Sequence, residues 1–166
     1  MVVLGVDPST VATGWGILDG DSRRARAVEY GVLRPPGRLS RERRLQAMHA
    51  GLAEIIDRLR PNVLAIEAPF HHRNAKTALA LGEVRGVVLL AATQRDVPFE
   101  EYSAMEIKRS AVGYGAAEKE QVAHMMARIL GLPETPEPDA ADALATAWCH
   151  LSRAARPVPS TLARIS

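Results

Sequence analysis

The chain has 166 residues, of which 47% are hydrophobic, 24% are charged and only 4% are aromatic. This length suits one domain with one core, and the composition excludes a chain that is disordered throughout. The low aromatic content argues against a protein that binds nucleic acids mainly by stacking bases on many rings. The formal net charge is only +2, which by itself indicates no class of partner.

Lysine and cysteine are both rare in this chain. Only three of its 21 basic residues are lysines, namely Lys76, Lys108 and Lys119. An ammonium group is compact and mobile, whereas a guanidinium is planar. Lysines in so arginine-rich a chain are therefore candidates for a specific role, although chance explains each of them as well. The single cysteine, Cys149, excludes an internal disulfide and a cysteine-based zinc site, and its apolar surroundings predict a buried thiol.

The sequence shows no sign of a membrane segment or a secretion signal. No apolar run approaches the roughly 18 residues that a membrane-spanning helix needs. No basic segment precedes the first strand-like run, as it would in a signal peptide. We therefore expect a soluble protein of the cytoplasm with no membrane partner.

The amino-terminal part of the chain is typical of three strands. Residues 2–6 form an almost fully apolar, β-branched run, which predicts a buried central strand. Residues 14–18 and 26–33 follow, with turn residues between the segments. Two strands joined by short turns to a buried one predict the antiparallel half of a sheet.

The rest of the chain alternates helices with strands. Apolar residues at helical spacing predict a helix over 39–59, with Ser40 as its N-cap and Glu42 in its first turn. Further helices are predicted over 75–93, 105–112, 117–130 and 140–153, with short strands over 63–66 and 97–102. This order predicts an α/β fold, in one domain over residues 1–154, with a flexible tail over 155–166.

Four acidic residues occupy positions where such a fold can bring them together. Asp7 and Glu67 each follow a buried strand, and ligands of open α/β sheets bind outside the carboxyl ends of strands. Asp139 and Asp142 stand three residues apart at the start of the last helix, so they share one face. On their own, these two residues suit an N-cap and a surface acid that the helix dipole favours equally well.

Four carboxylates in one place repel one another unless cations lie between them. Their oxygen atoms suit Mg²⁺ or Mn²⁺ better than zinc. Two such ions about 4 Å apart stabilise both the attacking and the leaving oxygen in phosphoryl transfer. The pattern therefore predicts a metal site at Asp7, Glu67, Asp139 and Asp142, and the hydrolysis of a phosphodiester by water.

Several segments resemble the RuvC family of Holliday-junction resolvases. They are residues 3–8 with 13–16, residues 65–67 with Phe70 and Asn74, residues 112–119, and residues 139–145. The resemblance implies a ribonuclease H-like fold, with a mixed five-stranded sheet and helices on both faces, and a two-fold homodimer. It implies nicking of two opposed strands of four-way junction DNA, in recombination and repair, with one or two Mg²⁺ ions per subunit (or Mn²⁺). The RuvA and RuvB branch-migration proteins are the implied partners.

The resemblance also assigns roles to individual residues. The family's catalytic acids fall on the four residues above, and its basic active-site residues fall on Lys108 and Lys119. Its aromatic wedge at the junction centre falls on Phe70, for which anchoring of the loop against the core is the alternative. We expect further DNA contacts from six residues, namely His71, His72, Arg73, Asn74, Lys76 and Tyr114.

Two positions depart from the residues usual in the family. Ser9 stands where glycine is usual, so the turn after Asp7 must not require a positive φ. Ala68 and Pro69 follow Glu67 where a polar residue is usual, which stiffens the next loop. Neither change affects a proposed metal ligand.

The helix predicted over 75–93 is the candidate dimer interface. Symmetric cutting of a two-fold symmetric junction requires two related active sites. Small residues allow close approach along this helix, either of a partner helix or of the protein's own sheet. They are Ala78, Ala80, Gly82, Gly86, Ala91 and Ala92.

The residues leave three other functions open. Residues 7–10 with Gly14 and Gly16 also resemble the phosphate-binding hairpin of actin-like and sugar-kinase phosphotransferases, but 166 residues leave no room for the second domain of such enzymes. A YqgF-like RNA-processing nuclease of the same fold would share Asp7 but less of the later motifs. A catalytically silent junction-binding protein would not need all four acids.

Overall fold

The computed structural model of this chain describes residues 1–69 and 74–154. The predictions for Phe70, His71, His72 and Arg73, and for the tail over 155–166, lie outside the described residues. In the part of the chain that the structure describes, one mixed sheet lies between two layers of helices. This is the α/β class that the order of predicted elements indicated.

The sheet contains five strands. They are β1 (Val2–Pro8), β2 (Thr13–Gly20), β3 (Ala25–Leu33), β4 (Val63–Glu67) and β5 (Phe99–Tyr102), in the spatial order β3-β2-β1-β4-β5. The pairs β1–β2 and β2–β3 are antiparallel, whereas β1–β4 and β4–β5 are parallel. The predicted antiparallel half is confirmed, and the parallel half places the ends of β1 and β4 side by side.

Five helices cover the two faces of this sheet. They are α1 (Arg41–Leu59), α2 (Ala75–Thr93), α3 (Ala104–Val112), α4 (Lys119–Leu130) and α5 (Pro138–Ala154). Ser40 caps α1 as predicted, since its side chain accepts a hydrogen bond from the Arg43 N–H. Gly113 ends α3 with a φ of 87°, a left-handed conformation that favours glycine.

The starts of four helices differ from the sequence-based prediction by one or two residues. Helix α1 begins at Arg41 rather than at 39, and α3 begins at Ala104 rather than at 105. Helix α4 begins at Lys119 rather than at 117, because the Gln121 side chain accepts a hydrogen bond from the Glu118 N–H and so ends the preceding loop. Helix α5 begins at Pro138 rather than at 140, since proline suits the first helical position. Asp139 therefore lies within the first turn of α5 instead of capping it.

Alternation along the strands sends neighbouring side chains to opposite faces of the sheet. Val3 and Ala65 pack in the core layer under α3, α4 and α5, whereas Leu4 packs in the layer under α1 and α2. Side chains two residues apart on a strand share a face. Asp7 and Glu67 consequently project on the side of α5.

Three glycines let α5 lie directly on β1 and β2. A Cβ atom built on Gly5 would lie 2.0 Å from the Ala143 carbonyl oxygen, and one built on Gly14 would lie 1.9 Å from the Asp139 carbonyl oxygen. Gly16 meets a side chain of the same helix at 2.6 Å. This close packing places the first turns of α5 against the carboxyl end of β1.

The small residues of α2 divide between two environments. Ala91 and Ala92 are fully buried against the protein's own core, so at these two positions the alternative of packing on the protein's own sheet holds. Gly82 and Gly86 are exposed, and a Cβ built on either would meet no atom of the described residues within 4 Å. The candidate interface is thus confined to the outer face of this helix.

The single cysteine and the hydropathy of the helices can also be compared with the predictions. Cys149 is fully buried, as predicted for a structural thiol. None of the helices over the described residues combines the length and the apolar character that crossing a bilayer requires.

Candidate active site

Side chains from β1, β4 and three helices meet at the carboxyl ends of β1 and β4. Asp7, Glu67 and Asp142 line one cavity together with Lys108 of α3 and Lys119 of α4. The cavity has a volume of about 230 Å³. The structure therefore brings together five of the six side chains that the sequence nominated for catalysis.

Asp139 does not line this cavity, but it lies three residues before Asp142 on α5. Its negative charge is close enough to Asp7 to raise the pKa of that carboxyl. The fourth predicted acid is thus at the border of the site rather than at its centre.

Asp7 is the most strongly perturbed acid of the site. Burial is the main cause that raises its pKa to about 7; the negative charges of Asp142, Glu67 and Asp139 contribute to this rise, and the positive charge of Lys119 opposes it. A carboxyl of this kind holds its proton near neutral pH unless a cation replaces that proton. The negative charge of the clustered acids is therefore not fully neutralised by the two lysines.

Glu67 shares this environment. Burial raises the pKa of Glu67, and the negative charge of Asp142 adds to that effect. The positive charges of Lys119, Lys108 and Arg85 lower it. The ionised form of Glu67 is therefore stabilised by basic side chains that belong to three different helices.

Lys119 is the basic residue in direct contact with the acids. Its Nζ donates a hydrogen bond to Oδ2 of Asp142 at 2.7 Å, and this bond raises the pKa of the lysine. Lys119 is the first residue of α4, so the cap of that helix fixes where the side chain starts. The structure thus places Lys119, one of the two predicted basic residues, at the acidic cluster.

The carboxylate groups of the site suit a hard divalent cation, although their side chains do not surround a single point closely. Within residues 1–69 and 74–154, no three acidic, histidine or cysteine side chains are grouped closely enough to enclose an ion. Asp142 faces Lys119 instead. All the candidate ligands are nonetheless carboxylate oxygens, which Mg²⁺ and Mn²⁺ prefer, and Asp7 carries the raised pKa that a cation would relieve.

The loop after Asp7 is held by Ser9. The Ser9 Oγ accepts hydrogen bonds from the Val11 and Ala12 N–H groups at 3.4 and 3.3 Å. The Ser9 N–H also donates to the Ala12 carbonyl oxygen at 3.1 Å. Ser9 is not among the non-glycine residues with a positive φ, which confirms that this turn does not require glycine.

Three of the residues predicted to contact DNA are described. Asn74 is the N-cap of α2, since its Oδ1 accepts hydrogen bonds from the Lys76 and Thr77 N–H groups at 2.9 and 3.2 Å. Lys76 is exposed, and so is Tyr114, whose hydroxyl lies 3.3 Å from the Gln121 side-chain oxygen. The structure gives Asn74 a helix-capping role and leaves the DNA contacts as predictions.

Two arginines that the sequence analysis missed hold this end of the sheet. Arg44 of α1 donates a hydrogen bond to the Thr10 carbonyl oxygen in the loop after β1. Arg85 of α2 donates to the Glu67 carbonyl oxygen at the end of β4. Neither belongs to a recognisable motif, and the only signal for Arg85 is a charged residue in a helix of mainly small and aliphatic side chains.

Comparison with known proteins decides the family. A family model described as "Crossover junction endodeoxyribonuclease RuvC" matches residues 3–150. The chain belongs to the RuvC family. RuvC proteins of Moorella thermoacetica and Magnetococcus marinus are 45% and 44% identical to it, over 153 and 151 residues. These matches cover 92% and 91% of this chain, and 92% and 84% of the two relatives.

Solved structures agree with the RuvC assignment. RuvC of T. thermophilus in complex with a Holliday junction substrate superimposes with a TM-score of 0.87 at 36% identity, over 93% of this chain and 94% of that one. A yeast mitochondrial Holliday junction resolvase superimposes with a TM-score of 0.62 at 14% identity, over 93% and 81% of the two chains, and so shows likeness of fold alone. The predicted ribonuclease H-like fold is confirmed.

Proposed function

We propose that this protein is a structure-specific endodeoxyribonuclease that resolves Holliday junctions in recombination and repair, by hydrolysing phosphodiester bonds in two opposed strands. The observation that carries the proposal is the cavity that Asp7, Glu67 and Asp142 share with Lys108 and Lys119. The likeness to a RuvC bound to a junction supports the choice of substrate.

We further propose one or two Mg²⁺ ions per subunit as the cofactor, with Mn²⁺ able to substitute. Asp7, Glu67, Asp139 and Asp142 would hold them. Such ions supply Lewis acidity and lower the pKa of a bound water. The charge repulsion that raises the pKa of Asp7 supports this assignment, and Asp142 would exchange its contact with Lys119 for one with an ion.

The two lysines are proposed to bind and orient the scissile phosphate. Lys119 is held at Asp142, so its ammonium group lies at the rim of the acidic cavity before DNA arrives. Once a phosphate enters, this ammonium group can neutralise charge on it, and that charge grows in the transition state. Lys108 of α3 lines the same cavity and would add a second positive charge beside the phosphate.

The direct test is cleavage of a labelled mobile four-way junction by the purified protein, with and without Mg²⁺, with mapping of the nicks. We expect paired, symmetric nicks that require Mg²⁺ and that Asp7→Asn and Glu67→Gln abolish, while both variants still bind the junction. Linear duplex, structured RNA and ATP serve as control substrates. Preferential cutting of RNA would favour the YqgF-like alternative, and ATP hydrolysis without cutting would favour a phosphotransferase.

The lysine assignment has a test of its own. We expect Lys119→Ala to slow junction cleavage by about 100-fold, because the charge of the transition state is local. Junction affinity should fall much less, since binding is spread over many phosphate contacts. Arg128→Ala removes an exposed positive charge from the last turn of the same helix and should leave cleavage within about twofold. Equal losses of affinity and rate in Lys119→Ala would refute the assignment.

We also propose that the protein acts as a homodimer through the outer face of α2. Leu79 and Leu90 are 70% and 50% exposed on this helix, and the exposed Gly82 and Gly86 lie between them. Spacings of three and four residues place all four on one face. An exposed apolar stripe with two glycines that allow close approach supports contact with the same stripe of a second copy.

The setting of the reaction is a further part of the proposal. We place the protein in the cytoplasm, beside RuvA and RuvB, and only the family supports this placement. Co-purification of the protein with RuvA and RuvB from its own cells, in the presence of a junction, is the corresponding test.

A further inference from the structure

Arg85 is a nearly buried arginine that lies outside the acidic cavity. Its side chain is only 14% exposed, and a charge so far removed from water requires partners. One arm of the guanidinium donates a hydrogen bond to the Glu67 carbonyl oxygen, and the other forms an ion pair with Glu101. A single side chain thus joins α2 to the end of β4 and to β5.

The Glu67 carbonyl oxygen stands where the sheet stops. Glu67 is the last residue of β4, and its register partner on β5 is Tyr102. Beyond it, the Ala68 N–H donates to the Tyr102 carbonyl oxygen at 2.8 Å, and regular pairing ends. The contact from Arg85 therefore fixes a peptide group that the strand ladder alone would hold from one side only.

Arg85 and the acidic cavity approach Glu67 from different layers of the protein. The Glu67 carboxylate faces the cavity under α5, whereas Arg85 comes from α2 in the opposite layer. The backbone dihedrals of a residue restrict the rotamers that its side chain can adopt. By holding the carbonyl, the guanidinium limits how far the end of β4, and with it the carboxylate, can turn.

The surroundings of Arg85 favour a role in orienting Glu67 over a purely stabilising one. Arg85 lines a groove of about 620 Å³ that extends from Asp7 and Glu67 to Gly82 of α2. The hydrogen bond from Arg85 and the groove thus meet at the same acid, Glu67.

We propose that Arg85 is a positioning residue that orients Glu67 for the divalent ion, without touching the substrate itself. The inference rests on the proposed function for the role of Glu67 as a ligand. Loss of a group that orients a metal ligand typically weakens metal affinity by about 10- to 100-fold.

The test is Mn²⁺ affinity of the free protein, measured without DNA by the electron paramagnetic resonance signal of unbound Mn²⁺. We expect Arg85→Gln to bind Mn²⁺ at least about tenfold more weakly than the parent, and to need a correspondingly higher Mg²⁺ concentration for half-maximal junction cleavage. At saturating Mg²⁺ its rate should return to within a few-fold of the parent rate. Arg85→Lys keeps the charge without the two-armed contact, so its affinity should be intermediate.

Arg95→Gln is the matched control. Arg95 lies just beyond α2, its side chain is 24% exposed, and it pairs with Asp57 of α1 at 2.8 Å. It lines neither the groove nor the cavity. Both variants lose an arginine ion pair of similar burial and should melt at lower temperatures, but only Arg85→Gln should change the affinity for Mn²⁺.

The outcomes separate this inference from the proposed function. A folded Arg85→Gln that binds Mn²⁺ as tightly as the parent overturns the inference, and so does an equal loss of affinity in Arg95→Gln. A parent that binds no Mn²⁺, or a Glu67→Gln variant with undiminished Mn²⁺ affinity, overturns it as well. If the parent binds Mn²⁺ as expected but cuts no junction, the proposed function fails while the positioning role of Arg85 stands.

Discussion

Two sets of glycines have opposite surroundings in this protein. Gly5 and Gly14 lie beneath α5, where an added Cβ would come within about 2 Å of a backbone oxygen. Gly82 and Gly86 lie on α2, where an added Cβ would meet nothing within 4 Å in the part of the chain that the structure describes. Both sets suit close approach of a second backbone. The first set has its neighbour within the chain, whereas the second set leaves room for one.

The first set of glycines therefore concerns the assembly of the active site within one copy, and the second set concerns the proposed dimer, which would contain two such sites. The inner glycines, Gly5 and Gly14, allow α5 to bring Asp142 to Asp7 and Glu67. The outer glycines, Gly82 and Gly86, leave open space where an added Cβ would meet none of the described residues. Substitutions at the two sets should therefore fail in different ways, and the following experiments compare those failures.

Gly5→Ala should have the largest effect. Its Cβ would lie 2.0 Å from the Ala143 oxygen and 2.8 Å from the Ala147 nitrogen, so α5 must move away from β1. We expect a loss of roughly 3 kcal/mol in the free energy of unfolding, measured in urea, and loss of junction cleavage. Gly37→Ala adds the same methyl group where nothing lies within 4 Å, and it should stay within about 0.5 kcal/mol of the parent. Comparable stabilities of the two variants would contradict the close packing.

Gly82→Leu should separate folding from dimer formation. A leucine fits the open space of one copy but blocks close approach of a second copy, so the variant should fold, sediment as a monomer and lose paired cleavage. Thr77→Leu adds a similar side chain at an exposed position on another side of α2 and should remain dimeric. A dimeric Gly82→Leu variant would move the interface away from this face.

The pH dependence of stability probes the acids that the inner glycines bring together. Because burial raises the pKa of Asp7 from 3.8 to about 7, the unfolded chain loses this proton at a lower pH than the folded protein. The metal-free fold should therefore lose stability as the pH rises from about 4 to about 7. Asp7→Asn should remove that part of the decline in melting temperature, and an unchanged decline in the variant would contradict the assignment.

Mg²⁺ should compete with this proton. Titration of Mg²⁺ near pH 6.5 should release protons from the parent but fewer from Asp7→Asn, since a carboxylate must be ionised to bind the ion. Calorimetry in two buffers with different ionisation enthalpies measures the release directly.

Gly86→Ala should have the smallest effect, and the opposite sign to Gly5→Ala. The added methyl group meets nothing in one copy, and alanine favours a helix by about 0.5–1 kcal/mol over glycine. The comparison belongs in the Gly82→Leu background, where loss of dimer contacts cannot offset the gain. A lower melting temperature there would indicate that Gly86 packs within its own chain.

Most of the helices and strands, and the four candidate acids, could be predicted from the sequence. The side chains that contact those acids in the folded protein could not. Local hydrophobic periodicity and turn residues predicted the bounds of α2, and they predicted the ends of β1 and β4 to within one or two residues, so Asp7 and Glu67 could be placed near strand ends. Helix α5 begins two residues before the predicted start, because Pro138 suits the first helical position although it lies outside the apolar periodicity. The role of Arg85 was missed, since its contact with Glu67 belongs to no motif.

The sequence by itself determined the order of the elements and the α/β class, because these depend on residues close together along the chain. It also predicted the four acids from their positions at strand and helix ends, whereas only the resemblance to the RuvC family assigned Lys108 and Lys119 to the same site. Only the tertiary structure decided which glycines lie under a helix, that Lys119 pairs with Asp142, and that Arg85 reaches the end of β4. Each of these contacts joins residues far apart in the sequence, and no local pattern encodes such a pair.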